Sequence, residues 1–84
     1  MFSAYVQFMT LDDFLDMDEM EQAEAVWSGT LQGTRHEGEY RILLYKIDEF
    51  YVEAWYHIEY NVLRKFVPFD DTKLLEQYFK INLN

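Results

Sequence analysis

Two histidines are the residues of this chain best suited to acid–base chemistry near neutral pH, because an unperturbed imidazole has a pKa of about 6.5. His57 is the stronger candidate, since an extended strand would place Glu53, Trp55 and Glu59 on its own face. A carboxylate there could orient the imidazole or join it on a metal ion. Because this spacing is common and a metal site needs a third or fourth convergent ligand, we favour neither catalysis nor metal binding.

Other catalytic signatures are absent from the sequence. His36 falls beside Glu37 and Gly38 at a predicted turn, where a solvated side chain is the ordinary role. Neither Ser3 nor Ser28 has the Gly-x-Ser-x-Gly setting of a nucleophile elbow, and no glycine-rich phosphate-binding motif occurs. The chain has no cysteine, which excludes disulfides and thiolate chemistry. We therefore favour a function other than catalysis, with no cofactor.

The charge of the chain is acidic and unevenly distributed. Sixteen acidic residues against seven basic ones give a net charge of -9, which disfavours direct binding to nucleic acid or to anionic lipid. Residues 1–29 contain seven of the acids and no Lys, Arg or His. We call four of these acids the acidic pole: Asp12, Asp16, Glu19 and Glu24. The pole is either a solvated face that aids solubility or a surface that binds a basic partner.

The length of the chain predicts one domain over residues 1–84, because 84 residues leave no room for a second core. No run of eighteen apolar residues occurs, so we expect no membrane span. The first ten residues lack a basic leader with an apolar stretch, and together with the absence of cysteine this predicts a cytoplasmic protein.

The apolar periodicity predicts helices at both ends of the chain and strands between them. Residues 11–28 have helical spacing in two pieces; Asp18 and Glu21 form a capping-box pattern at the restart, and Gly29 suits a left-handed C-terminal residue. Four predicted strands follow, over residues 30–36, 39–47, 50–57 and 62–68. Asp70 or Asp71 would then cap a closing helix with four apolar residues on one face: Leu74, Leu75, Tyr78 and Phe79.

These elements predict an α+β fold: a four-stranded antiparallel meander with the N-terminal and C-terminal helices packed on one sheet face. The second strand is apolar on both sides from Tyr40 to Tyr45, and the third adds Phe50, Val52 and Trp55. One helix layer cannot cover both faces of these strands. We therefore expect a protein-binding domain whose second sheet face is covered by a partner, and a homodimer is the first expectation.

The stretch Tyr40–His57, which contains Ile42-Leu43-Leu44-Tyr45 and Phe50-Tyr51-Val52-Glu53-Ala54-Trp55-Tyr56-His57, resembles short bacterial α+β proteins to which no activity is assigned. The resemblance extends to a first helix with Gln22 and Trp27 and to a closing Leu75-Glu76-Gln77-Tyr78 segment. It implies the same fold and transfers no catalytic or binding residue.

Glu53 is the most unusual residue of the predicted sheet, because a carboxylate in an aromatic strand needs a partner when it is buried. If residues 58–61 form a simple connection, Arg64 should lie beside Trp55 and diagonal to Glu53. Such a cluster is either a structural clamp or a recognition patch. We predict an interaction patch of Tyr51, Glu53, Trp55 and Arg64; the alternative function is an acidic inhibitor or immunity-type protein that uses the acidic pole, with a small hydrolase or metal protein third.

Overall fold

The computed structural model describes residues 8–79. Its elements are α1 (Leu11–Leu15), α2 (Glu19–Trp27), β1 (Thr30–Glu37), β2 (Tyr40–Ile47), β3 (Phe50–His57), β4 (Val62–Phe69), a 3-10 turn (Thr72–Leu75) and α3 (Glu76–Phe79). The strands pair antiparallel in the order β1-β2-β3-β4. The predicted α+β class and meander are therefore confirmed. None of the helices in this part of the chain is long and apolar enough to cross a bilayer.

Side-chain caps define where the helices begin. Asp18 and Glu21 form the predicted capping box of α2, and Thr10 forms a second one with Asp13 at α1. The expectation for Gly29 is wrong, because the C-cap residue of α2, Ser28, has right-handed geometry and Gly29 does not adopt a positive φ. Glycine is needed there for space: a Cβ at Gly29 would lie 2.7 Å from the carbonyl oxygen of Lys46.

Helices α1 and α2 pack on one side of the sheet, which we call the helix-side face. Phe14 of α1 and Val26 of α2 are fully buried there against Ile47, Phe50 and Val52. The Phe14 and Phe50 ring centroids are 5.8 Å apart. This apolar cluster anchors both helices to the end of the sheet where β2 turns into β3.

The closing helix lies on the other side, which we call the opposite face. The Tyr78 hydroxyl of α3 donates to Glu53, whereas the adjacent Val52 packs under α1 and α2. Neighbouring residues of a strand point to opposite faces, so the prediction that both terminal helices share one face is wrong. The reason is that β2 is apolar on both sides: Ile42 and Leu44 on the opposite face are also buried, and a single layer could not reach them.

Candidate functional site

A buried carboxylate accepts four hydrogen bonds from three side chains. Glu53 is 5% exposed, and its Oε2 accepts from the Tyr78 hydroxyl at 2.7 Å. The same oxygen accepts from Arg35 Nη2 at 3.1 Å and from Arg35 Nε at 3.3 Å, and Oε1 accepts from Trp55 Nε1 at 3.0 Å. We call these four residues the Glu53 cluster. Both carboxylate oxygens are satisfied within the chain, which offsets the cost of burying the charge.

The strand register explains why Arg35 reaches Glu53. Gly33 of β1, Leu44 of β2 and Glu53 lie in one row across the sheet, and Arg35 lies in the next row. The Tyr78 ring lies over Gly33: a Cβ there would be at an ordinary contact distance of 3.5 Å from Tyr78 Cδ1. The long Arg35 side chain then extends over β2 to the carboxylate.

Arg35 contacts two carboxylates and two aromatic rings. It also pairs with Glu37 at 2.8 Å, and its Cζ lies 5.6 Å from the ring centroids of both Trp55 and Tyr78. Burial alone would lower the pKa of Arg35, but the hydrogen bonds with Glu37, Tyr78 and Glu53 outweigh it and raise the pKa. The guanidinium therefore stays charged, and the cluster holds one buried ion pair.

The Tyr78 hydroxyl makes the stability of the fold decrease at alkaline pH. Burial, followed by the hydrogen bond to Glu53, raises the pKa of Tyr78 above its ordinary value of 10.0. Above pH 10.0 the folded state keeps the Tyr78 hydroxyl proton, whereas the unfolded chain loses it. The contribution of Tyr78 to the free energy of unfolding is therefore present below pH 10.0 and declines as the pH rises above it.

We expect Tyr78→Phe to lose less stability than the parent between about pH 9 and about pH 11, as measured by urea denaturation.

Tyr60→Phe is the matched control, because it removes an exposed hydroxyl. This variant should lose stability with pH as the parent does. Equal pH dependence of the parent and Tyr78→Phe would contradict the assignment of a protonated, half-buried Tyr78.

The structure brings together three of the four residues of the predicted interaction patch. Tyr51, Glu53 and Trp55 alternate along β3 and share the opposite face. Arg64 does not join them: the pairing runs from Trp55–Lys65 to Tyr56–Leu63, so Arg64 occupies a β-bulge. The expectation that Arg64 pairs with Glu53 is therefore wrong, and whether the patch binds a partner stays a prediction.

Arg35 and Lys65 take the positions that sequence reasoning gave to Arg64. Lys65 Nζ lies 4.4 Å from the Trp55 ring centroid, and Arg35 binds the carboxylate. A local signal for Arg35 exists, because Arg35 and Glu37 alternate on β1 as a charged pair within a strand. That signal does not identify Glu53 as a partner, since the two residues are on strands separated by β2.

His57 pairs with a different carboxylate from the predicted ones. Its Nε2 lies 2.9 Å from Glu39 Oε1, and the Tyr60 backbone N–H donates to Nδ1 at 3.4 Å. Because Nδ1 accepts, Nε2 carries the proton and donates to Glu39. The ring also stacks on Tyr60 at 4.6 Å between centroids. Within residues 8–79, no group of three or more His, Asp or Glu residues could hold a metal ion.

The acidic pole lies on the solvent side of α1 and α2. All four side chains, Asp12, Asp16, Glu19 and Glu24, are exposed and form no ion pair with any described residue. The side chains that cap the helix N-termini come from other residues, namely Thr10, Asp13, Asp18 and Glu21. Asp16 is the C-cap residue of α1, but it caps through its backbone N–H. The four side chains of the pole are therefore available to solvent or to a partner.

An apolar surface remains on the part of the helix-side face that α1 and α2 do not cover. Trp27, at the end of α2, is 53% exposed; it stacks on Tyr45 at 6.4 Å and meets Phe66 edge-on at 5.8 Å between centroids. Further along this face, the half-buried Leu43 and Tyr56 follow in β2 and β3. The open apolar surface, as we call it, comprises Trp27, Leu43, Tyr45, Tyr56, Leu63 and Phe66.

This surface continues into a groove between α2 and β4 with a volume of about 900 Å³. Met20 and Ala23 of α2 and Leu63 and Phe66 of β4 supply its apolar lining. Its α2 wall also carries Asp18 and Glu19, and its β4 wall carries Arg64 and Lys65. We call this feature the α2–β4 groove.

Comparisons with protein families, curated proteins and solved structures found no match to this chain. The functional assignment therefore depends on the residues and their geometry.

Proposed function

We propose that this chain is a non-catalytic protein-binding domain that self-associates through the open apolar surface of its sheet. The observation that carries the proposal is Trp27, a large aromatic residue that is 53% exposed and packs against Tyr45 and Phe66 of the sheet. Large contiguous apolar areas on a small protein usually mark interaction sites. Trp and Tyr are also the residue types that most often dominate binding energy.

The geometry of the two faces supports a contact on the helix side. On the opposite face, the carboxylate of Glu53 and the indole N–H of Trp55 already bond to each other, and Lys65 lies over the Trp55 ring. The polar groups of these residues are already bonded within the chain, so they are less available to bind a partner. On the helix side, Trp27 is 53% exposed, and Leu43 and Tyr56 of the neighbouring strands are half-buried.

We expect the parent chain to be a dimer at micromolar concentration and Trp27→Ala to weaken the dimer by at least ~30-fold, which corresponds to about 2 kcal/mol for loss of an interface anchor. Light scattering after gel filtration over a concentration series measures both. Because Trp27 lies at the end of a helix and is half in solvent, the variant should stay folded, which circular dichroism checks.

Tyr60→Ala is the matched control, since it removes another exposed aromatic side chain, one that stacks on His57 at the turn after β3. This variant should dimerise as the parent does. A parent that stays monomeric at high concentration would overturn the proposal. Loss of the dimer in Trp55→Ala but not in Trp27→Ala would instead assign the contact to the Tyr51, Glu53 and Trp55 patch.

A second candidate function follows from the exposed acidic pole, which would suit a basic protein partner as in an inhibitor or immunity-type protein. Binding of this kind weakens steeply with salt, whereas association through apolar surface does not. Neutralising Asp12, Asp16, Glu19 and Glu24 together would then weaken such binding. Stability should change little, because substitutions of exposed side chains stay within about 0.5 kcal/mol each.

A further inference from the structure

The α2–β4 groove carries opposite charges on its two walls. Glu19 is exposed on the α2 wall, beside Asp18, which caps the helix. Arg64 is exposed on the β4 wall, beside Lys65. Because the Lys65 ammonium lies on the opposite face, over the Trp55 ring, Arg64 supplies the positive charge of this wall. The groove therefore carries both signs of charge, in a chain whose net charge is -9.

Arg64 is exposed at a β-bulge of the edge strand β4. Since Lys65 pairs with Trp55 and Leu63 pairs with Tyr56, Arg64 is the extra residue of the bulge and has no cross-strand neighbour. It forms no ion pair with any residue from 8 to 79. Bulges at sheet edges commonly redirect a side chain. Here the bulge points a cation outward at the rim of an apolar groove.

Met20 is the most exposed apolar residue of the groove lining. It lines the groove from the α2 side and is 72% exposed. Methionine is flexible and polarizable, so it adapts to an irregular apolar cavity. A second groove of the same kind, lined by Leu63 and Phe66, would accommodate it.

We propose that a second copy of this chain covers the groove across a two-fold axis parallel to it, so that Glu19 of each copy faces Arg64 of the other and each Met20 packs into the partner's groove. The proposal rests on the self-association proposed above and specifies its geometry. A two-fold contact uses the same patch on both copies. An axis along the groove places each acidic wall against a basic wall, whereas an axis across it would oppose like charges.

Charge complementarity favours a second copy over other occupants. A uniformly basic partner would be repelled by Arg64, and a uniformly acidic one by Asp18 and Glu19. A partner with both charges in the reverse order meets no such repulsion. The same groove turned by the two-fold axis has that order, and it also brings apolar area to the apolar lining.

The test uses two charge-reversal variants, Glu19→Arg and Arg64→Glu. Each alone places like charges across both halves of the proposed contact, so each should dimerise at least ~10-fold more weakly than the parent. An equal mixture restores both pairs, because the acids of one variant face the bases of the other. Native mass spectrometry of the mixture should therefore show a heterodimer with an affinity within about threefold of the parent dimer.

Asp12→Arg is the matched control, because it reverses an exposed acid in the first turn of α1 that does not line the groove. It should dimerise as the parent does. If both groove variants also dimerise as the parent does, or if their mixture stays as weak as either one, the two-fold groove contact is wrong while self-association stands. A monomeric parent overturns both proposals.

A cross-link tests the same geometry without depending on charge. The chain has no cysteine, so Glu19→Cys in one chain and Arg64→Cys in another introduce one thiol each. Oxidation of the mixture should give a disulfide-linked heterodimer. Neither variant alone should cross-link to a comparable extent, and efficient cross-linking of either one alone would contradict the arrangement.

Discussion

Replacing Glu53 by alanine is expected to lower the free energy of unfolding by about 3–5 kcal/mol, because it leaves the largely buried Arg35 without the carboxylate that it binds. Tyr78 and Trp55 lose their acceptor in the same change. A domain of this size has a total stability of roughly 5–10 kcal/mol, so the loss is a large part of it. Urea denaturation followed by circular dichroism measures the difference.

Glu37→Ala is the matched control for Glu53→Ala, because Glu37 pairs with the same guanidinium but its side chain is 58% exposed. An exposed pair contributes about 0–1 kcal/mol, so this variant should be close to the parent. Glu53→Gln keeps the shape and an acceptor oxygen, and it should fall between the two. Equal losses for Glu37→Ala and Glu53→Ala would contradict a role for burial in the Glu53 cluster.

Replacing Phe14 by alanine is expected to cost about 3–5 kcal/mol, the usual loss for a fully buried aromatic residue. Its ring packs against Phe50 at 5.8 Å and against Phe66 at 6.3 Å between centroids. Phe14 therefore joins α1 to strands β3 and β4. Its removal would leave a cavity, because the surrounding side chains relax only partially. Thermal and urea denaturation measure the loss.

Leu15→Ala is the control for the second prediction, because it truncates the next residue of the same helix, which is 57% exposed. It should change stability by no more than about 0.5 kcal/mol. A large loss in both variants would indicate that α1 itself is unstable without its apolar residues. A small loss in both would contradict the placement of Phe14 in the core.

Local patterns predicted most of the elements. The capping box at Asp18, the four strands and the cap at Asp71 depend on residues close together in the chain, and each is found within a residue or two of its predicted place. The closing segment begins as a 3-10 turn before α3, a short-range detail that apolar spacing does not resolve. Phe79 was predicted on its apolar face, and its side chain lies outside the described residues.

The partners of the charged residues could not be predicted in the same way. Arg64 fits the diagonal of Glu53 if the last hairpin is regular, but one extra residue in β4 shifts the register. Since side chains alternate with a period of two, a one-residue bulge changes what each following residue faces. Arg35 reaches Glu53 from a strand that is not its neighbour, and Tyr78 reaches the same carboxylate from α3, so both contacts depend on the tertiary arrangement.

Residue types and their local spacing are enough to predict the α+β class, the element order, the acidic pole and more apolar strand surface than one helix layer can cover. Those properties follow from local periodicity and composition, which are set by neighbouring residues. Three features could be read from the tertiary structure alone: α3 lies on the opposite face, Arg35 binds Glu53, and Arg64 borders the α2–β4 groove. Each of these depends on strand register and on which segments meet across the sheet, and a single inserted residue is enough to change them.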